Sequence, residues 1–230
     1  MLRKAGYAVL GLGALVLAWV AVTVIWGDPL TSLYTRHEQQ ALSNRLDVIG
    51  ERWVKDHPAA QARFRQVTRE RPSKTALLRT RAASYRDGLR DGEPMGRIVI
   101  PRLGLRMVVV QGTSKADLEK GPGHYDAGSG RNTGLPGMGG VVAVAGHRTT
   151  FAHPFRHIDD LRPGDKVQLQ LPYGRFTYTV YHYKVVDDQD WSILRRRPYE
   201  KLVLTACHPL HSATHRWVVF ARLTSSSPSI

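Results

Sequence analysis

Residues 7–26 form an apolar run with no charged side chain. At about 1.5 Å per helical residue such a run matches the roughly 30 Å hydrocarbon core of a bilayer, so the pattern predicts a transmembrane helix. A cleaved leader would carry a shorter apolar region followed by a small-x-small site. Val24-Ile25-Trp26-Gly27-Asp28-Pro29 offers no good one. Arg3 and Lys4 precede the run, and the next basic residue after it is Arg36. The positive-inside bias therefore keeps residues 1–6 in the cytoplasm and exports the rest, making a single-pass cell-membrane protein.

Residues 27–93 are polar and rich in Arg, with Leu42, Leu46, Ile49 and Trp53 at helical spacing. Pro58 and Pro72 break the segment, and Ser73 is placed to cap a second helix through Leu77, Leu78 and Tyr85. The segment reads as a basic helical stalk, either a solvated spacer partly docked on the main domain or a surface that settles on lipid headgroups or wall polymer.

The texture changes near residue 94. Short stretches rich in Val, Ile, Thr and Tyr alternate with Gly, Pro and Asp turns, the pattern of an all-β sandwich or barrel. Strands are expected at 97–100, 107–110, 141–146, 166–171, 176–186, 201–206 and 216–223, with a short helix at 154–161. The catalytic domain is expected to span 94–224, and 225–230 reads as frayed coil.

Composition is that of a globular protein, 42% hydrophobic and 23% charged. The formal charge of +14 draws polyanions. Export argues against nucleic acid and leaves anionic lipid or acidic wall polymer. An exported chain with a single cysteine forms no internal disulfide, so Cys207 is either an inert buried thiol or a reactive one.

Alternation along Lys201-Leu202-Val203-Leu204-Thr205-Ala206-Cys207 puts Val203, Thr205 and Cys207 on one face and the leucines with Ala206 on the other. If the strand ending in Cys207 pairs antiparallel with the one beginning at Arg216, thiol and guanidinium become neighbours. A cation there favours the thiolate and can donate to an oxyanion. His147, at the end of the apolar strand 141–146, is a candidate proton carrier among 10 histidines, most of which must be structural.

Ala145-Gly146-His147-Arg148-Thr149-Thr150, Leu204-Thr205-Ala206-Cys207-His208-Pro209 and Arg216-Trp217-Val218-Val219 resemble, in order and spacing, the three catalytic segments of sortases. Gly96-Arg97-Ile98-Val99-Ile100-Pro101, Gly121-Pro122-Gly123-His124-Tyr125 and Leu161-Arg162-Pro163-Gly164-Asp165 extend the likeness over most of residues 95–224. The Cys-His-Pro sequel is most like class E sortases of high-GC Gram-positive bacteria. One departure is Ala206, where many sortases carry Thr.

This resemblance implies an eight-stranded β-barrel and a cysteine transpeptidase with Cys207, His147 and Arg216 as catalytic residues, and Thr205, Ala206 and His208 as substrate contacts. It implies cleavage of a carboxy-terminal sorting signal, Leu-Ala-x-Thr-Gly or Leu-Pro-x-Thr-Gly, between Thr and Gly of a secreted protein. A thioester would then pass to an amine of a peptidoglycan precursor. No cofactor or metal is called for.

Rival readings are a wall hydrolase using the same thiol with water as acceptor, a zinc site from Cys207, His208, His211 and His215, and a non-enzymatic wall-binding module. The zinc set crowds into nine residues, unlike the paired spacings of such sites. His124, His153, His157, Asp187, Asp188 and Asp190 read as solvated polar positions rather than a calcium site.

Overall fold

The structure, a computed structural model, describes residues 2–26, 29–56, 73–125 and 133–229. Eight strands close into a barrel. They are β1 (Pro94–Ile100), β2 (Leu105–Gln111), β3 (Gly123–His124), β4 (Val141–Ala145), β5 (Lys166–Leu171), β6 (Gly174–Asp187), β7 (Lys201–His208) and β8 (His215–Pro228). Their order around the barrel is β1-β2-β3-β4-β7-β8-β6-β5, with β1 pairing β5 to close it. Pairs β2–β3 and β4–β7 are parallel and the others antiparallel.

Alternation sorts side chains as the pleat requires. Leu202, Leu204, Ala206, Val219 and Ala221 point into the barrel with Ile98, Val142, Leu169, Phe176 and Tyr178. Val203, Val218 and Phe220 point outward and join Val141, Ala143, Val186 and Ile193 in a second apolar cluster, against which Tyr125 and Leu194 pack. That outer cluster is covered by a 3-10 turn, Trp191–Leu194, held down by the buried Lys201, whose Nζ donates to Ile193 O and Arg195 O at 2.8 Å each.

Among the described residues four helices accompany the barrel: α1 (Leu2–Trp26), α2 (Pro29–Asp56), α3 (Lys74–Gly88) and α4 (Lys115–Lys120). Ser73 caps α3, its hydroxyl accepting from Ala76 N at 3.2 Å. In α1, Val9, Leu10, Leu15 and Leu17 are exposed. Among the described residues no helix is long and apolar enough to cross a membrane.

Where residues 27–93 are described they dock on the barrel: Leu42 and Leu46 of α2 are buried with Val108 and Val110 of β2, while Leu78, Ala82 and Tyr85 of α3 belong to the main core. The boundary at 94 therefore cuts through packed apolar surface; Pro58 and most of the break around it lie outside the described residues. The expected coil at 225–230 is strand as far as Pro228, because β6 is long enough to pair it, Gly174 opposite Pro228 and Thr177 opposite Ser225. The expected helix at 154–161 is reduced to one 3-10 turn, Ile158–Asp160.

Candidate active site

Cys207 lies near the end of β7, half-buried on the outward face with Val203 and Thr205, and its thiol is free. Its strand sits between β4 and β8. On one side the antiparallel register sets Cys207 directly opposite Arg216, the second residue of β8. On the other, parallel pairing aligns Ala145 with Thr205, and Gly146 N still donates to Thr205 O at 3.0 Å. His147 follows immediately, so the three residues leave three adjacent strands at one rim of the barrel.

Local sequence explains the turn at His147. A Cβ on Gly146 would come within 2.6 Å of the ring of Phe155, which is fully buried, so only glycine lets that ring support the turn. Phe155 N donates to His147 O at 3.0 Å and closes it. The His147 ring lies 5.3 Å from that of Phe151. Its Nε2 is buried and, among the described residues, has no hydrogen-bond partner, the Cys207 thiol included. Burial holds the imidazole below its usual pKa, with the charge of Glu119 working the other way.

The Arg216 guanidinium is fixed by its own loop, Nη1 donating to Ala213 O at 2.7 Å and His215 O at 3.0 Å. Among the described residues no carboxylate pairs with it, which leaves the positive charge beside Cys207 unneutralised. Such a group can stabilise a thiolate or an oxyanion.

The three expected substrate contacts fare differently. Thr205 is buried on the outward face, its hydroxyl hydrogen-bonded to Tyr125 Oη at 2.9 Å. Ala206 points into the barrel core, so only its backbone is available to a ligand on the outer face. A hydroxyl at this position would be directed inward by the pleat, which removes the reason to expect its loss to be felt by substrate. His208, opposite His215, packs near Trp217 with rings 5.5 Å apart and meets Arg148 Nη1 at 3.4 Å through Nδ1.

Two residues of the site were not singled out by sequence reasoning. Tyr125 carries a hydroxyl whose pKa is raised by burial; the Thr205 hydrogen bond and the Arg216 charge work against that rise, and Cys207 adds to it, so the phenol lies within electrostatic reach of both. Arg148 is buried and pairs with Asp159 at 2.8 Å while its Nε and Nη2 donate to Arg156 O. Through Nη1 it also meets His208, so the residue after His147 contacts the residue after Cys207. Both stand in motif segments, Tyr125 at the end of Gly121-Pro122-Gly123-His124-Tyr125 and Arg148 directly after His147, whose pattern assigns neither of them a role.

Beyond the outer apolar cluster lies a cavity of about 420 Å³ lined by Thr133, Val141, Trp191, Leu194 and Arg195 among others. Among the described residues no three His, Cys, Asp or Glu side chains converge as metal ligands. His124 is hydrogen-bonded to Gln111, Gly134 and Thr133, Asp187 pairs with His215, and Asp190 caps Ser192 N.

The sortase domain family model matches residues 98–224, more than half of the chain. The chain belongs to the sortase family. It is 35% identical over 135 residues to Sortase D of Bacillus subtilis (strain 168), covering 57% of this chain and 64% of that protein. It is 29% identical over 149 residues to Sortase SrtE1 of Streptomyces coelicolor, covering 60% of this chain and 42% of that one. The matches thus span less than two thirds of either relative. Among solved structures, sortase E from Streptomyces avermitilis superposes with a TM-score of 0.54 at 35% identity, over 60% of this chain and 93% of that one. Sortase E1 from Streptomyces coelicolor, with a tripeptide in its active site, gives 0.57 at 27% identity, over 61% and 94%. The sortase barrel expected from the sequence is the barrel observed, and sortase E proteins are among its neighbours. The family is one of cysteine transpeptidases.

Proposed function

We propose that this chain is a membrane-anchored sortase that cleaves a Leu-Ala-x-Thr-Gly or Leu-Pro-x-Thr-Gly signal between Thr and Gly and transfers the new carboxyl end to an amine of a peptidoglycan precursor. The observation that carries the reading is the strand order β4-β7-β8, with Cys207 opposite Arg216 and His147 at the end of β4.

In this reading the Cys207 thiolate attacks the Thr carbonyl carbon, and the oxygen takes up the negative charge beside Arg216. Collapse breaks the Thr–Gly bond as the His147 imidazolium gives its proton to the departing Gly amine, leaving a thioester and a neutral ring. The acceptor amine then attacks the thioester, His147 removes its proton, and the thiolate leaves. The proton that His147 gives to the Gly amine is the one the Cys207 thiol surrenders, so the first half of the cycle balances.

An extended peptide rises about 3.3 Å per residue. With its Thr at Cys207, a signal lying along β7 puts its leading Leu about 10 Å away, near Val203 and Ala143 of the outer apolar cluster, with Trp191 and Leu194 forming the wall beyond. Apolar burial there supports recognition of Leu.

The anchor is supported by the uncharged run at 7–26, counted over the whole sequence, and by the exposed apolar side chains of α1. A tether confines enzyme and membrane-linked acceptor to one surface and raises their effective concentration.

The test incubates the full-length chain in detergent micelles with both peptides, with and without a glycine or diamino-acid acceptor, and resolves the products by mass spectrometry. Ligation at Thr supports transfer and the preferred peptide names the signal. Release of free Thr carboxylate in the presence of excess amine would instead identify a hydrolase.

A further inference from the structure

Helix α2 is bound to the barrel by side chains that the barrel's own strands leave a place for. Strand β3 is only two residues long and pairs with Val110 and Gln111, so among the described residues Val108 of β2 has no strand partner on that side. Gln39 fills the gap: its Oε1 accepts from Val108 N at 2.7 Å and its Nε2 donates to Val108 O at 3.0 Å and to Lys120 O at 2.9 Å. A side-chain amide thus stands in for the missing peptide unit. Thr35 donates to Glu119 O at 2.8 Å, Ser43 accepts from Arg97 at 2.7 Å, and Leu42 and Leu46 are buried on Val108 and Val110.

The first turn of the same helix reaches the loop that carries His147. Phe151, Ala152 and His153 hold φ of 52°, 56° and 37° in succession. Non-glycine residues adopt this left-handed conformation only where surrounding structure holds it. At the head of the run, Phe151 N donates to Thr31 Oγ1 at 3.0 Å. The Phe151 ring in turn lies against the ring of His147. The path from α2 to the imidazole is therefore one hydrogen bond and one ring contact long.

We infer that α2 is a strap that positions the His147 loop, and that Thr31 is its positioning residue. Gln39 and the Leu42–Leu46 face fix the helix to the barrel, and Thr31 at its amino-terminal end then fixes the backbone of Phe151, whose ring sets the wall of the His147 pocket. Thr31 lies five residues beyond the apolar run, so the end of the chain nearest the proposed anchor is also the end that touches the loop of the proposed proton carrier. The inference rests on the role given to His147 above.

The test compares the full-length wild-type chain, Thr31→Val and Thr31→Ser in detergent micelles. Valine keeps the shape and loses the acceptor oxygen; serine keeps the oxygen. Hydrogen exchange followed by mass spectrometry reads the peptide covering 148–155, and steady-state kinetics read kcat and KM for the sorting peptide. Losing one hydrogen bond of ordinary strength should speed exchange in that peptide and lower kcat by about threefold to tenfold, with KM within about twofold. Thr31→Ser should restore both. Exchange and kcat in Thr31→Val equal to wild type would overturn the strap, as would faster exchange spread evenly over the barrel with no local excess at 148–155. If the wild-type chain shows no Cys207-dependent turnover, the activity reading fails by itself while the exchange comparison still decides the strap.

Discussion

Cys207 and Arg216 are direct partners across the β7–β8 ladder, side chains on the same outward face and no carboxylate paired with the guanidinium among the described residues. The placement follows from two strands joined by a short loop, so it is as rigid as the sheet itself. Arg216→Lys keeps the charge but loses the planar fork of donors. It should lower kcat by about 100-fold, the cost of losing one oxyanion donor, with thermal stability nearly unchanged. Peptide-cleavage kinetics with a melting curve check this; kcat within about threefold of wild type would remove Arg216 from the chemistry.

Tyr125 and Thr205 share a hydrogen bond beneath the site, with Thr205 buried. Tyr125→Phe leaves the Thr205 hydroxyl unmet and should cost about 1–3 kcal/mol of stability. Adding Thr205→Val should recover part of that loss, because both partners are then apolar. Denaturant unfolding of the two single variants and the double variant measures the coupling; strictly additive losses would show that the pair does not act as one unit.

Arg148 makes its bonds from a buried position, to Asp159, to Arg156 O and to His208. Arg148→Met should destabilise the fold by about 1–3 kcal/mol, less than for a wholly buried ion pair because Asp159 is partly exposed. Activity should fall with it, since the loops after His147 and Cys207 lose their common tie. Unfolding curves at neutral pH and kcat at 25 °C test both halves.

His147 has a pKa below its ordinary value because burial disfavours the imidazolium. The folded state therefore binds fewer protons than the unfolded one between the lowered pKa and the ordinary value of about 6.5. The sign follows: this contribution is fully present above about pH 6.5 and is lost as pH falls through that window. His147→Gln should flatten this part of the stability–pH curve, measured by thermal melts from pH 5 to 8. A variant curve parallel to wild type would show that His147 does not titrate as described.

Much of the catalytic rim was legible because it is local. The alternation that ends in Cys207 and the short loop before Arg216 are written in consecutive residues, and both faces are as the pleat demands. The neighbour on the other side was not: β4 pairs with β7 in parallel across more than fifty residues of chain, and no nearby pattern encodes that. The helical spacing of Leu42, Leu46, Ile49 and Trp53 showed that a helix existed without showing that Val108 and Val110 cover Leu42 and Leu46 or that Ile49 and Trp53 pack against the main core. The Ser-rich end of β8 lacks β-branched alternation and is strand only because β6 extends beyond β7 to pair it. Arg148 is a single polar residue whose burial arises from tertiary packing alone.

The central claim is that Cys207 forms a thioester with the Thr of a sorting signal. Its most direct test mixes the full-length chain with excess signal peptide in the absence of amine, quenches in acid, and measures the intact mass and the modified residue. We expect an adduct equal to the peptide up to Thr, located on Cys207, discharged by added amine and absent from Cys207→Ala. Cleavage at Thr that persists undiminished in Cys207→Ala would contradict the account.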